Sequence, residues 1–299
     1  MIIMPTVIFV VSMEYLIRQI PNDYSYKNSY LEKHSGEIQI LISGASDAFC
    51  GINPVFFPQN VFNAGHLSQP LYLDFEIFKK FQFKKLETII FVMGYPMLFW
   101  NNLDNTPENW RLAKYTIYYG FNSGSLRYNS ELLNNTFRMN LKRLGRCYIT
   151  KKNDITCNSL GWLTSFTAVH DLNESGKNFA KYDTFDIFSK EITKVLDENV
   201  EVLNSFLNIC DNQKITVIFL TTPTYFTFWE NLNPEQLNIM IKTMNDLVIQ
   251  HSNCHYLNWL SSTDFVAEDF YDATHLNETG AKKLSEKIAR EIDLLGTWK

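Results

Sequence analysis

Short, uniformly apolar runs alternate along this chain with longer stretches in which apolar residues recur at helical spacing. Residues 37–43 form one such run, rich in β-branched side chains and stopped by Gly44, which predicts a first central strand. A second short strand is expected at 60–63. Residues 86–93 are apolar at nearly every position up to Gly94, the pattern of a strand covered on both faces. The pattern returns at 215–220, before Thr221, Thr222 and Pro223, and a fifth short strand is expected at 254–260. Helical spacing covers 71–81, 185–210 and 234–250, and Asn277 is placed to cap a last helix over about 281–294. Residues 106–145 predict two or more helices, with Pro107 near a helix start and a turn around 122–124. Residues 146–180 read as polar and irregular.

Strands that alternate with helices in this way build parallel β-α units. The expected fold class is therefore α/β: a three-layer sandwich with a five-stranded parallel sheet and helices on both faces. Such sheets bind ligands beyond the carboxyl ends of their strands, so chemistry is expected near Gly44, Gly94, Thr221 and Leu260. The main domain is expected over 37–299, and residues 95–180 are long enough to form an inserted cap beside the site.

Ahead of that domain, residues 1–17 are apolar apart from Thr6, Ser12 and Glu14. The stretch is shorter than the roughly 20 residues of a spanning helix, contains Pro5 and lacks a basic start. Two readings stand: a truncated membrane anchor over 1–20, or a strand or helix packed on the domain. The continuity of the run favours the anchor. The polar, Tyr-, Asn- and Lys-rich residues 21–36 read as a connector.

Composition narrows the partners. With 45% hydrophobic and 20% charged residues the 299-residue chain is that of a folded protein, and a net charge of −5 without a Lys/Arg stripe argues against nucleic acid. Five scattered cysteines, with no C-x-x-C pair, do not make a complete disulfide framework.

The candidate chemistry lies at two distant places. At the end of the first strand stand Gly44, Ala45, Ser46 and Asp47. A serine hydroxyl becomes a nucleophile only when a neighbouring imidazole takes its proton. Near the other end come Asp272, Ala273, Thr274 and His275, directly before the last helix. On a tight turn, residues three apart can face each other, so Asp272 can hold one imidazole nitrogen while the other points at Ser46.

This arrangement, a strand followed by G-x-S near the start and D-x-x-H before the last helix, resembles the GDSL/SGNH hydrolases over roughly 37–294. The residues 20–24, 44–54, 62–65 and 272–280 look like bacterial membrane-anchored members associated with surface-polysaccharide genes. The resemblance implies a flavodoxin-like SGNH sandwich, with Ser46 as nucleophile, His275 as general base and Asp272 as orienting acid. It implies an esterase or O-acyltransferase acting on a glycan or small-molecule ester without a cofactor or metal, from a domain exported to the cell envelope. In the family's second block, N-x-G-x-x-G, Asn63, Ala64, Gly65 and His66 lead to Ser68, where a glycine presents its N–H to the oxyanion. In the third block, G-x-N-D, the chain has Gly94, Tyr95, Pro96 and Met97, so the oxyanion asparagine is absent. Losing one such donor typically lowers turnover about 10²–10³-fold. Tyr95, Asn101, Asn102 and the backbone N–H groups of Ser46 and Ser68 are the candidate replacements. The competing view is an impaired member of the fold that binds glycan or assists polysaccharide assembly.

Other residues read more plainly. Asp47 either contacts substrate or caps a helix, with capping favoured; His66 either lines the pocket or is structural. Cys50 has no histidine of its own and reads as a buried hydrophobe. His251, Cys254 and His255 straddle a helix end, which argues against zinc. Trp110 with Arg111, and residues 158–162, offer aromatic and guanidinium surfaces suited to sugars, although packing explains them better.

Overall fold

The apolar runs form five strands: β1 (Ile40–Ser43), β2 (Val61–Asn63), β3 (Thr88–Val92), β4 (Thr216–Thr221) and β5 (Cys254–Asn258). This computed structural model describes residues 3–166 and 171–294. The helices, in chain order, are α1 (Ile3–Arg18), α2 (Asp23–His34), α3 (Ser46–Gly51), α4 (Leu71–Lys80), α5 (Trp110–Lys114), α6 (Phe137–Leu144), α7 (Leu172–Tyr182), α8 (Lys190–Asn212), α9 (Phe226–Trp229), α10 (Pro234–Gln250) and α11 (Glu278–Leu294). All strand pairs are parallel, in the order β2-β1-β3-β4-β5, with Ile42 level with Ile90 and Ile90 level with Ile218. This is the flavodoxin-like order, whose direction of growth reverses between β1 and β3. The loops after Ser43 and Val92 therefore open at the reversal point.

Alternate side chains of each strand face opposite layers, as the two-residue period of a strand requires. Ile40, Ile42, Ile90, Val92, Ile218 and Leu220 pack with Ala48 of α3 and with Leu284, Ile288 and Ile292 of α11. From the other face Phe91 meets Phe219 and Phe206 of α8, at 5.8 and 5.4 Å between ring centres, and Phe78 of α4 meets Phe206 at 5.1 Å. The fold is thus an α/β sandwich with a five-stranded parallel sheet between helices.

The chain divides into two compact units, Met1–Lys33 with Asn102–Thr156, and His34–Asn101 with Cys157–Lys299. The second contains the sheet. The first is organised around Glu131, fully buried, whose carboxylate accepts from Lys114 Nζ at 2.5 and 2.7 Å, Tyr118 Oη at 2.8 Å and Arg143 at 3.0 Å. Glu14 of α1 accepts from Ser130 and from the backbone N–H groups of Glu131 and Leu132, which ties α1 to that network. The grouping differs from an insertion over 95–180: residues 157–166 and 171–180 group with the sheet, and 102–156 group with the N-terminal segment.

Two elements differ from the sequence reading. The connector at 21–36 contains α2, whose buried positions Tyr24, Lys27, Asn28 and Leu31 have helical spacing but are half filled by polar side chains. The irregular stretch at 146–180 contains α7, started by Asp171, which accepts from the N–H groups of Asn173 and Glu174. Its buried stripe is Leu172, Gly176 and Ala180, too small to register as an apolar face. Gly176 is required by packing: a Cβ there would lie 2.2 Å from Thr227 Oγ1 and 2.6 Å from the Thr227 carbonyl carbon, so only glycine lets α7 lie on α9.

Candidate active site

β1 delivers the chain to Gly44, where φ is +132° and an added Cβ would stand 2.8 Å from the Val92 carbonyl oxygen. Only glycine turns there, and the turn makes Ser46 the first residue of α3. The loop is held from below by Asp74 of α4, whose Oδ1 accepts from Gly44 N at 2.8 Å and from Gln69 Nε2 at 2.6 Å. Asp74 Oδ2 is buried without a partner, and burial pushes this carboxyl up to about 8 against the two hydrogen bonds. Asn63 clamps the far end of α3: its Nδ2 donates to the carbonyls of Ala48 and Ile52, and its Oδ1 accepts from Gly65 N.

The opposite wall is a closed loop between Asp269 and Asn277. Tyr271 N donates to the His275 carbonyl and Asn277 N to that of Asp269. Asn277 Oδ1 then caps α11 through the N–H groups of Thr279 and Gly280. Within this loop Asp272 Oδ1 accepts from the backbone N–H groups of Thr274 and His275, each at 2.9 Å, and both its oxygens lie 2.9 Å from His275 Nδ1. His275 Nε2 lies 2.8 Å from Ser46 Oγ. The loop is braced by α7, where Ser175 Oγ accepts from Ala273 N, and by Tyr225, whose N–H donates to the Ala273 carbonyl.

Residues absent from the sequence reading complete the surroundings. Phe166 stacks on Tyr271 at 4.2 Å and stands edge-on to the His275 ring at 5.6 Å; Phe179 of α7 does the same at 6.5 Å. Nothing local in the sequence ties these rings to His275, because each arrives from a separate element. Asp183, which ends α7, belongs to the same electrostatic group.

Asp47 does not cap α3: the capping position is Ala45, and no side chain caps that end. Its Oδ1 instead lies 3.8 Å from His275 Nε2, and its Oδ2 is so close to the Gly94 Cα that a Cβ there would meet it at 2.6 Å. Asp272 and Asp47 thus flank one imidazole, and the charge of Asp183 acts on it as well. Burial alone would depress His275, but the hydrogen bond and charge of Asp272, then the charges of Asp47 and Asp183, outweigh it and hold the imidazole above its ordinary value. Asp272 is pushed up by burial, yet His275 and the backbone N–H donors bring it below the usual carboxylate range. Burial raises Asp47, opposed by His275 and aided by the charge of Asp272. Asp183 is pushed up to about 7, by burial first and then by Asp47, with His275 opposing.

The other candidates lie as follows. Ser68 takes the left-handed backbone of a glycine, with φ +52°. Tyr95 is buried, its ring edge-on to Phe228 at 6.2 Å and its hydroxyl donating to the Asn233 carbonyl at 3.4 Å. Asn101 donates to Glu198, and Asn102 accepts from Asn105 N in the other unit. His66 is buried edge-on to Phe49 at 6.0 Å. Trp162 is buried and donates to the Cys50 carbonyl, while Arg111 lies over Trp110 and pairs with Glu108. Among the described residues no group of His, Cys, Asp and Glu has the arrangement of a metal site.

Comparison with protein-family models and with curated proteins finds no match to this chain.

Proposed function

We propose that this protein is a serine-dependent esterase or O-acyltransferase of the GDSL/SGNH type, acting on O-acyl groups of a cell-surface glycan. The observation that carries the reading is the chain Ser46 Oγ, His275 Nε2, His275 Nδ1, Asp272, with spacings of 2.8 and 2.9 Å. In the reaction, Ser46 Oγ attacks the ester carbonyl carbon as its proton passes to His275 Nε2. The tetrahedral intermediate collapses, the departing alkoxide takes that proton, and the acyl group stays on Ser46. Water or a sugar hydroxyl then gives its proton to His275, attacks the acyl carbon and frees Ser46. Asp272 holds the tautomer with Nδ1–H and stabilises the imidazolium.

The Ser46 backbone N–H, the first of α3, is the oxyanion donor this reading supplies from the nucleophile itself. Beside Gly94, where the family's third block begins, Asp47 presents a carboxyl instead of an amide. Its charge favours the imidazolium that forms when Ser46 is deprotonated.

The test is covalent labelling of Ser46 by a fluorophosphonate probe. Labelling lost in both Ser46→Ala and His275→Ala is the expected result; labelling that survives either change would defeat the triad. The alternative is a glycan-binding or assembly protein with a vestigial site. It is favoured by Pro96 in the asparagine's position and by the Tyr95 hydroxyl being spent on Asn233. Glycan binding that persists in Ser46→Ala, without ester turnover in the wild type, would select it.

A pH profile reports on the carboxylates. Only neutral His275 accepts a proton, and its acid is held above the ordinary histidine value, so turnover rises with pH through a limb above about 6.5. Asp47→Asn removes one of the charges that raise it. The acidic limb is then expected to move to lower pH in kcat/KM; an unmoved limb would show that Asp47 does not act on the imidazole.

For location, α1 as an N-terminal membrane anchor is part of the same proposal, with the sheet domain on the exported side. No described helix is long and apolar enough to cross a membrane. Full-length protein that washes off membranes with carbonate would remove the anchor.

A further inference from the structure

In the unit formed by residues 1–33 and 102–156, α6 is turned inside out. Helices of globular proteins bury apolar residues and expose polar ones. In α6 the buried residue is Asn140, while Phe137, Met139 and Leu141 are 58%, 52% and 47% exposed. The π-helical turn that continues it exposes Ile149 at 81% and Tyr148 at 41%. An apolar face of this kind on a folded unit marks a surface that is covered by something else.

The charges identify what covers it. Between Glu131 and Asp154 the chain carries Arg138, Lys142, Arg143, Arg146, Lys151 and Lys152 and no acidic residue, although the whole protein has net charge −5. Arg143 turns inward to Glu131 and Asp154, at 3.0 and 2.9 Å, and Arg146 also reaches toward Asp154. Arg138, Lys142, Lys151 and Lys152 are exposed, interleaved with the exposed apolar side chains. The neighbouring α1 adds to the same surface: residues 3–12 are exposed throughout, and Tyr148 Oη donates to the Leu16 carbonyl at 2.9 Å, joining the two segments.

We propose that residues 137–152, together with α1, seat this unit on an anionic lipid bilayer, with the apolar side chains in the acyl boundary and the cations among the headgroups. A basic amphipathic segment lies in the interfacial plane for these two reasons acting together. A second copy of this chain fits less well, since a symmetric contact would set the cations against themselves. Nucleic acid would leave Phe137, Leu141 and Ile149 in water. The inference goes beyond the N-terminal anchor and does not rest on the hydrolase reading.

The experiment is co-flotation of purified full-length protein with vesicles of phosphatidylcholine alone and of phosphatidylcholine with about one-third phosphatidylglycerol, at about 0.1 M and about 0.5 M salt. Wild-type protein should partition at least about tenfold better onto the anionic vesicles, and less so at high salt. A cation near such a surface is worth about fivefold, so Arg138→Gln with Lys142→Gln and Lys151→Gln should lose about 100-fold on anionic vesicles and little on neutral ones. Phe137→Ser with Leu141→Ser should weaken binding to both. These positions are exposed, so thermal midpoints of the variants should match wild type. Equal partitioning onto both vesicles, or variants that bind like wild type because α1 alone suffices, would overturn the proposal. So would a concentration-dependent dimer in analytical ultracentrifugation that the same variants abolish.

Discussion

Turnover of an activated acyl ester is expected to fall about 10⁶-fold in Ser46→Ala and by a similar factor in His275→Ala, with the double variant no worse than either. The near-equality follows from the geometry. His275 Nε2 and Ser46 Oγ lie 2.8 Å apart and act as one proton-transfer unit, so removing either member removes the whole step. Asp272→Asn is expected to cost about 10⁴-fold. An amide in place of Asp272 still fills the turn closed by the N–H groups of Thr274 and His275, but it no longer selects the tautomer with Nδ1–H or stabilises the imidazolium. Steady-state kcat/KM over the three single variants and the double variant checks this. If Ser46→Ala kept more than about a tenth of wild-type turnover, the acyl-Ser46 route would be wrong.

Asp74→Asn is expected to stabilise the protein by an amount that grows with pH. The Asp74 carboxyl holds its proton to about 8 in the folded state, whereas the unfolded chain releases it near the ordinary value of 3.8. Between those two values unfolding releases a proton, so each unit of rising pH lowers the wild-type stability, by up to about 1.4 kcal/mol; above about 8 the loss levels off. An asparagine is neutral throughout, and its Oδ1 still accepts from Gly44 N and Gln69 Nε2. Its Nδ2 takes the place of an oxygen that already has no partner. The two proteins should therefore be nearly equal in stability around pH 4, and the variant should lead by about 4 kcal/mol at pH 7. Urea unfolding of both proteins across this range measures the difference. A difference that does not change with pH would mean that Asp74 is ionised beneath the Gly44 loop.

The arrangement at His275 bears on how an incomplete oxyanion site would work. Asp47, Asp183 and Asp272 all favour the charged imidazolium. This eases the first proton transfer but demands a higher pH before the base is free. Under the proposed hydrolase reading, the Asp47 carboxyl beside Gly94 would act on the imidazole nitrogen rather than on the oxygen of the intermediate.

Much of the architecture was legible in the residues. Each of the five strands falls within or one residue beyond its expected span; for β1, β3 and β4 the reason is that a strand buried on both faces requires apolar side chains at nearly every position. α10 spans Pro234–Gln250, as its caps and spacing require, and Asn277 caps α11. α2 and α7 escaped for opposite reasons. The buried positions of α2 include Lys27 and Asn28, whereas those of α7 are too small to form an apolar stripe. Asp47 was misread as a cap because an acidic residue in the first turn of a helix ordinarily serves that end, and here the side chain turns toward a histidine 228 residues further on.

The sequence by itself determined what depends on near neighbours. The period of its apolar residues specified strands and helices, Gly44 specified the turn before Ser46, and the spacing of Asp272 and His275 placed carboxylate and imidazole on one loop. Those features need only contacts a few residues apart, which a single pattern can encode. Only the tertiary structure decided which strands became neighbours, that Ser46 and His275 meet across 229 positions, and that Asp47, Phe166 and Phe179 gather round the same ring, on which the charge of Asp183 also acts. It alone also turned the apolar residues of α6 outward. These outcomes depend on how buried surfaces pack over the whole chain, where each contact is settled jointly by many residues far apart in sequence.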